Sequence, residues 1–492
     1  MLGTERLYTA AQARALDNCA IQDYEIPGIT LMARAAQATF RYLLESWPAP
    51  EQLQVLCGTG NNGGDGYLVA DLAHKRGIPC TVLQVGDPEK ISGDALLARR
   101  QAVANGVAIK AYDGAVLDSA GVIVDALLGT GLGGDVRGDC VAAIEAINNS
   151  GASTVAVDIS SGLCSDTGRV LGCAVRADLT VTFIGLKRGL FTLHATDHVG
   201  ALQFADLEVP MAVYEAVPSN CSRLELEALL ERLPPRPADA HKGLYGSVLV
   251  IGGDYGMAGA AAMAAEAALR CGAGLVRVAT RPEHVAALVA RVPEVMPTGI
   301  SSGEDFEPLL DASDVLVAGP GLGQSPWSVH LLQRALASGK PIVLDADALN
   351  LLAAGTVELP ADGIRVITPH PGEAGRLLRC ATAAVQFDRF AAAAALAQKF
   401  SAVAVLKGNG SIIDGEGEQL LSDYGNPGMA SGGMGDVLSG VIGALLAQDM
   451  SGLESAALGV CLHGAAADLA AQDGMRGLAA TDLIPVMRSL LG

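Results

Sequence analysis

Short apolar runs, each closed by glycine or aspartate and followed by residues at helical spacing, recur along this chain. They restrict its fold more than any other feature. In the first half the runs are Leu53–Cys57, Cys80–Val85, Val122–Leu128, Thr154–Val157, Leu179–Ile184 and Leu202–Val209. Between them lie Ala/Leu-rich stretches such as the one carrying Leu68, Val69, Leu72 and Ala73. A run that is apolar at every position fits a strand buried on both faces, and alternating strands and helices build a mostly parallel sheet. The class predicted is α/β. Sixty of the 492 residues are glycine, and they collect just after the runs, where parallel strands end and loops meet a ligand.

The pattern breaks once. A Pro/Ser stretch at Val217–Ser222 and the segment Pro234-Pro235-Arg236-Pro237 flank a Leu-rich helix, Leu224–Leu233. Runs then resume at Val248–Ile251, Leu275–Ala279, Val315–Ala318, Ile342–Leu344, Val366–Ile367 and Val403–Leu406. This punctuation predicts a boundary near residue 218 and two domains, 1–218 and 219–492. The halves do not read as copies, so the arrangement is a fusion rather than a duplication.

Half the residues are hydrophobic and 17% are charged, which excludes a disordered chain. With 33 Lys+Arg against 53 Asp+Glu, the net charge of −20 argues against a nucleic-acid partner. Ten cysteines show neither C-x-x-C pairing nor metal-ligand spacing, so a reducing cytoplasm is the expected compartment. The first twenty residues lack the apolar run of a secretory leader. The longest apolar stretches, such as Val437–Ala447, fall short of the ~20 residues that span a bilayer, so no membrane partner is expected.

After the strand Leu53–Cys57 comes a glycine-rich loop, Gly58-Thr59-Gly60-Asn61-Asn62-Gly63-Gly64-Asp65-Gly66, then a helix. That order presents bare backbone N–H groups to a pyrophosphate. Gly58, Gly60 and Gly63 satisfy G-x-G-x-x-G, but no acid closes the next strand about twenty residues on unless Asp87 is counted, so ordinary nicotinamide redox binding fits poorly. Asp125 and Asp158 end two further runs, each followed by a glycine-containing loop. Parallel strands would bring Asn62, Asp65, Asp125 and Asp158 to one sheet edge. The alternative is that each acid merely caps a following helix. Oxygen ligands without His or Cys suit a hard cation.

The motifs Asn61-Asn62-Gly63-Gly64-Asp65-Gly66, Asp125-Ala126-Leu127-Leu128-Gly129-Thr130-Gly131 and Val157-Asp158-Ile159-Ser160-Ser161-Gly162 resemble those of NAD(P)H-hydrate epimerases. That resemblance implies a Rossmann-like α/β/α domain. It also implies that hydrated NADH and NADPH (NADHX and NADPHX) are bound by Asn61, Asn62, Gly63, Gly64, Asp65, by Gly129, Thr130, Gly131, Leu132, Gly133, Gly134, Asp135, and by Asp158. It further implies a potassium ion, K+, near Asn62, Asp125 and Ser161. Inverting the hydroxyl-bearing carbon needs a positioned proton donor and acceptor, and Asp158 is the candidate.

In the second half, Gly425-Asn426-Pro427-Gly428-Met429-Ala430-Ser431-Gly432-Gly433-Met434-Gly435-Asp436 leads into the apolar helix. Glycines before a helix make an amide-lined anion hole. Asp436 falls in the first turn, where a carboxylate is favoured and expected to stay ionised. It is placed to take a proton from a substrate hydroxyl while amides hold the transferring phosphoryl group. The alternative is a helix cap after a flexible loop.

G-x-G-D at a helix start resembles the anion hole and base of ribokinase-like kinases. Gly319-Pro320-Gly321-Leu322-Gly323, Asp345-Ala346-Asp347-Ala348-Leu349-Asn350, Thr368-Pro369-His370-Pro371-Gly372-Glu373 and Leu406-Lys407-Gly408-Asn409-Gly410-Ser411 extend the likeness to ADP-dependent NAD(P)H-hydrate dehydratases. By that resemblance Lys407, Gly408, Asn409, Gly410, Ser411 and Gly435 hold ADP, with Mg2+ accompanying it. Ala260, Gly323, His370 and Asp436 hold the S hydrate. His370 could instead be a rigid-turn residue and Lys407 an exposed strand-end charge. The two resemblances imply a repair enzyme that epimerises hydrated cofactors and dehydrates the S form as ADP becomes AMP and phosphate. The competing reading is a ribokinase-like small-molecule kinase fused to a non-catalytic nucleotide-binding module. A homo-oligomer stays open.

Overall fold

The computed structural model describes residues 2, 5–360 and 362–492. The chain divides into two compact units, Arg6–Ser219, and Asn220–Gly492 together with Leu2 and Glu5.

In the first unit, strands lie in the order Ala108–Ala111, Cys80–Gln84, Leu53–Cys57, Val122–Ala126, Ser153–Val157, Leu179–Phe183 and Ala201–Ala205. Every pairing is parallel. Strand order reverses on either side of Leu53–Cys57, and a reversal opens a crevice beyond the carboxyl ends of the strands. The interior is aliphatic, with Val55, Val124, Val155 and Val181 fully buried. The helix after Leu53–Cys57 starts at Asn61 and runs to Lys75. Asn61–Gly66 is therefore the start of that helix, not the loop expected from its glycines. The glycines permit close packing: a Cβ on Gly63 would stand 2.2 Å from the Gly58 carbonyl oxygen, and one on Gly66 2.5 Å from Ala126 Cβ.

Two amino-terminal pieces complete this unit. Leu7 and Tyr8 pair in parallel with Leu186 and Lys187. The helix Ala10–Gln22 follows, opened by a Thr9/Gln12 capping box. Its Leu16 and Ala20 face the core.

In the second unit the order is Met296–Gly299, Leu275–Thr280, Ser247–Ile251, Val315–Ala318, Ile342–Leu344, Arg365–Ile367 and Val403–Leu406, all parallel. An antiparallel hairpin, Ser411–Gly415 with Glu418–Ser422, extends the sheet, and Cys221–Arg223 pairs with its outer strand. Helix Met434–Ala447 is buried almost all round. At Gly440 a Cβ would lie 2.1 Å from the Ala264 carbonyl oxygen, so this helix meets Ala258–Arg270 at backbone contact. Among the described residues no helix is long and apolar enough to cross a membrane.

Candidate functional site

A cleft of about 810 Å³ opens in the first unit at the carboxyl ends of the strands. Its lining includes Asn61, Asn62, Asp65, Gly129, Thr130, Gly131, Leu132, Gly133 and Asp158. Gly63, Gly64, Gly134 and Asp135 are not part of that lining. A Cβ on Gly64 would fall 2.7 Å from the Met32 side chain, and Gly134 has open space around it. Gly60 precedes the helix and also has no atom within reach of a Cβ, leaving the amide end of Asn61–Lys75 accessible.

Asp158 caps no helix. It sits at φ +67° after its strand, and its Oδ1 accepts from Lys187 Nζ, from Thr182 Oγ1 at 3.2 Å and from the Phe183 amide at 3.2 Å. Lys187 is 2% exposed, and its Nζ also donates to Thr182 Oγ1 at 3.0 Å and the Phe183 carbonyl at 2.9 Å. Two more acids line the same space. Burial, with Asp158 and Asp17 nearby, drives Asp65 well above the carboxylate range. Burial, opposed by Lys187 and reinforced by Asp158, lifts Asp17 to about 6. Asp17 and Lys187 carry no motif and were not among the expected site residues.

Asp125 lies beneath the cleft, fully buried. Its Oδ1 accepts from Ser161 Oγ at 2.6 Å and the Leu127 amide at 3.2 Å, and its Oδ2 from the Ser161 amide at 2.8 Å. Burial lifts it to about 6 despite those bonds. Asn62 is buried and its Nδ2 has no partner. Among the described residues no group of three or more His, Cys, Asp or Glu gathers as metal ligands.

The second unit brings its own acids together around Asp436, in the first turn of Met434–Ala447. Lys407 Nζ donates to Asp345 Oδ1 at 2.8 Å, where Thr368 Oγ1 also donates at 2.8 Å. Despite its burial, Asp345 is held below the usual range by Lys407. Asp436 differs from its expected state. Burial first, then Asp345, push it up to about 7, with Lys407 pulling the other way and Asp347 and Glu373 adding to the rise. A helix N-terminus favours an anion, but the loss of solvent outweighs it here.

Those acids lead to the other expected residues. Asp347 Oδ2 accepts from the Gly323 amide at 2.8 Å, and a Cβ on neighbouring Gly321 would lie 3.1 Å from Ala260 Cβ. Glu373 accepts from the His370 amide at 2.8 Å, while His370 Nδ1 accepts from the Gly372 amide at 3.0 Å, so the imidazole caps helix Pro371–Leu378. Gly435 stands close to the ion pair: a Cβ there would come 3.1 Å from Lys407 Nζ and 3.4 Å from Asp345 Oδ2. Lys407 is not the exposed strand-end charge of the alternative reading; its ammonium turns inward to Asp345. The Lys407–Ser411 segment is held from behind by Arg389, which is 1% exposed and donates to the carbonyls of Leu406 at 3.3 Å, Lys407 at 3.4 Å and Gly410 at 3.0 Å. Ser411 Oγ donates to the Gly408 carbonyl at 3.2 Å. His463 stands against the start of helix Met434–Ala447, its ring hydrogen-bonded to the Met434 backbone, and burial followed by Lys407 drops it to about 4.

Comparison with known proteins agrees with both halves. Residues 28–189 match a family model described as YjeF-related protein N-terminus, and residues 248–488 one described as NAD(P)H-hydrate dehydratase. The chain is 47% identical to the bifunctional NAD(P)H-hydrate repair enzyme Nnr of Coxiella burnetii over 99% of each chain. Among solved structures, a ribokinase-like superfamily protein from Enterococcus faecalis superposes with TM-score 0.52 at 31% identity, covering 55% of this chain and 95% of that one. A second, titled ADP/ATP-dependent NAD(P)H-hydrate dehydratase from Bacillus subtilis co-crystallized with ATP/Mg2+, has TM-score 0.49 at 30% identity, covering 54% of this chain and 96% of that one. The carboxy-terminal unit is thus ribokinase-like, and the chain belongs to the bifunctional NAD(P)H-hydrate repair enzymes, which join an epimerase to an ADP-dependent dehydratase.

Proposed function

We propose that residues 1–218 epimerise NADHX and NADPHX and that residues 219–492 dehydrate the S epimer with ADP. The observation that carries the second assignment is Asp436 at a glycine-led helix start, its carboxyl raised to about 7 with Lys407 beside it. A group of that pKa can both accept and return a proton at neutral pH. Asp436 removes the proton from the ring hydroxyl, whose oxygen attacks the terminal phosphorus of ADP and releases AMP. Phosphate is then a far better leaving group than hydroxide. The ring nitrogen's electron pair expels it, and loss of a proton from the adjacent carbon restores the dihydronicotinamide. The amides of Gly435 and its neighbours stabilise the phosphoryl charge. Lys407–Ser411 cradles the nucleotide through its backbone, Ala260, Gly323 and His370 border the hydrate, and Mg2+ bound to the diphosphate supplies charge neutralisation.

In the amino-terminal half, Asn61, Asn62 and Asp65 with Gly129–Gly133 bind the dinucleotide, and Asp158 exchanges the proton of the ring hydroxyl. Asn62, Asp125 and Ser161 would hold K+, which would supply positive charge to offset that of the anionic dinucleotide. One observation supports the fit: Asp125 is a fully buried carboxylate with no cationic side chain beside it among the described residues. Ten cysteines outside any disulfide suit a cytoplasmic setting.

The test supplies mixed R and S hydrates with ADP, Mg2+ and K+, then with ATP in place of ADP. Reduced-nicotinamide absorbance, AMP and phosphate are followed. Full conversion of both epimers with stoichiometric AMP supports the assignment. Accumulation of a stable phosphorylated product identifies a kinase instead.

A further inference from the structure

Epimerisation by cleavage of the C–O bond to the ring hydroxyl visits both faces of the ring, and one carboxylate serves one face. Water leaves one side after its oxygen is protonated, and water enters the other after losing a proton. Asp158, neutralised by Lys187, stands at the end of its strand. Asp65 also lines the cleft, but it is 9% exposed, lies on the glycine-led helix Asn61–Lys75 and is pushed up by burial. Asp17 comes from a different element, the helix Ala10–Gln22, lines the same cleft and is less deeply buried.

We infer that Asp17 is a second catalytic residue of the epimerase, exchanging a proton with the hydroxyl or water on the ring face that Asp158 does not serve. This inference rests on the epimerase reading above. In one direction Asp17 protonates the departing hydroxyl; the C–O bond breaks, the ring nitrogen's pair forms a C=N bond, and water is released. Water then adds from the other face, the pair returns to nitrogen, and the proton passes to Asp158. The reverse reaction exchanges the two roles. No electron is gained or lost, and one proton has moved between carboxylates. A group that must both give and take a proton works best when its pKa is near the operating pH. Asp17, raised to about 6 with Asp65, Asp158 and Lys187 facing it, meets that condition. Arg14, Asp87, Lys90 and Asp94 supply the remaining charged lining.

The experiment compares the full-length protein with its Asp17→Asn and Asp17→Glu variants. Interconversion of purified R and S hydrates is followed without ADP, and dehydration of purified S hydrate with ADP. The expected result is a fall of about 100-fold in epimerase kcat for Asp17→Asn with KM within about threefold. Asp17→Glu should recover part of that loss, and dehydration of the S hydrate should be unchanged. Epimerisation by Asp17→Asn at the parental kcat, or a loss confined to KM, overturns the inference. If the parental protein itself fails to interconvert the hydrates, the epimerase reading falls instead. Retained dehydration together with an unchanged thermal unfolding profile excludes misfolding as the cause, and Asp17→Glu keeps the test open if Asp17→Asn is unstable.

Discussion

Lys407 Nζ lies 2.8 Å from Asp345 Oδ1, and the pair flanks Gly435, one residue before Asp436. The ion pair therefore sets the field in which Asp436 titrates. Asp345 raises the Asp436 pKa and Lys407 lowers it. Asp345→Asn should move the pH midpoint of dehydratase kcat to lower pH, and Lys407→Met should move it to higher pH. Shifts in the same direction, measured on the S hydrate at saturating ADP, would break this link.

In the proposed mechanism Asp436 acts as a base, so the ionised form is the active one. With a pKa of about 7, dehydration should rise with pH through neutrality and level off above it. At one unit below the midpoint the rate should be about a tenth of the plateau. Asp436→Ala should lose about 10²- to 10⁴-fold in kcat and flatten the profile. ADP binding, read by equilibrium titration, should survive in that variant.

Lys187 is a buried cation whose partner is Asp158. Replacing one member of a fully buried pair costs about 3–5 kcal/mol. Asp158, 17% exposed along the cleft, keeps part of its solvent, so that figure is an upper bound here. Lys187→Met should destabilise Arg6–Ser219 by up to that figure in chemical denaturation and abolish epimerisation. It should also push Asp17 and Asp65 further up, since Lys187 lowers both. Dehydration of purified S hydrate at a temperature below the transition should persist.

The fully buried Asp125 carboxylate with Ser161 against it calls for a counter-charge that no described side chain supplies. Replacing K+ by choline at constant ionic strength should slow epimerisation and leave dehydration of the S hydrate untouched. Ser161→Ala should raise the K+ concentration needed for half-maximal rate. Epimerase rates indifferent to the cation would remove potassium from the account.

The parts of both sites that announce themselves in the sequence are those that interrupt a fully apolar strand. Asp125 and Asp158 are legible because Val122–Val124 and Val155–Val157 leave a carboxylate no reason to be there except the strand end. Asp17 is not legible, because on an amphipathic helix it reads as an ordinary solvent-face acid. Lys187 stands in Leu-Lys-Arg, which resembles a solvated charge pair, and only the tertiary fold removes water from it. Asn61–Gly66 reads as a loop because glycine has poor helix propensity, yet contact with Gly58 and Ala126 decides the backbone there. The edge strand Ala108–Ala111 escapes because three of its four residues are exposed and carry no apolar signal. The hairpin Ser411–Glu418–Ser422 is masked by the glycines at its turn.

Arg389 is the clearest case of function held by a residue without a motif. It is a guanidinium with no carboxylate partner among the described residues, brought down to about 10 by burial. Protonated at neutral pH, it directs its hydrogen bonds to three carbonyls of the Leu406–Gly410 turn and to Gln386 Oε1 at 3.1 Å. A planar fork can gather those carbonyls; a lysine ammonium on a flexible stem cannot reproduce that geometry. Gly408, at φ +145°, leaves the room, since a Cβ there would stand 2.6 Å from Arg389 Nη1. By gathering those carbonyls Arg389 fixes the backbone of the segment proposed above to cradle the nucleotide. Arg389→Met should therefore raise the KM for ADP by about tenfold with little change in kcat, because the phosphoryl-transfer residues around Asp436 are untouched. Arg389→Lys should recover little of that affinity. A kcat defect with normal ADP affinity would instead mean that the turn positions the transferring phosphoryl group rather than the nucleotide as a whole.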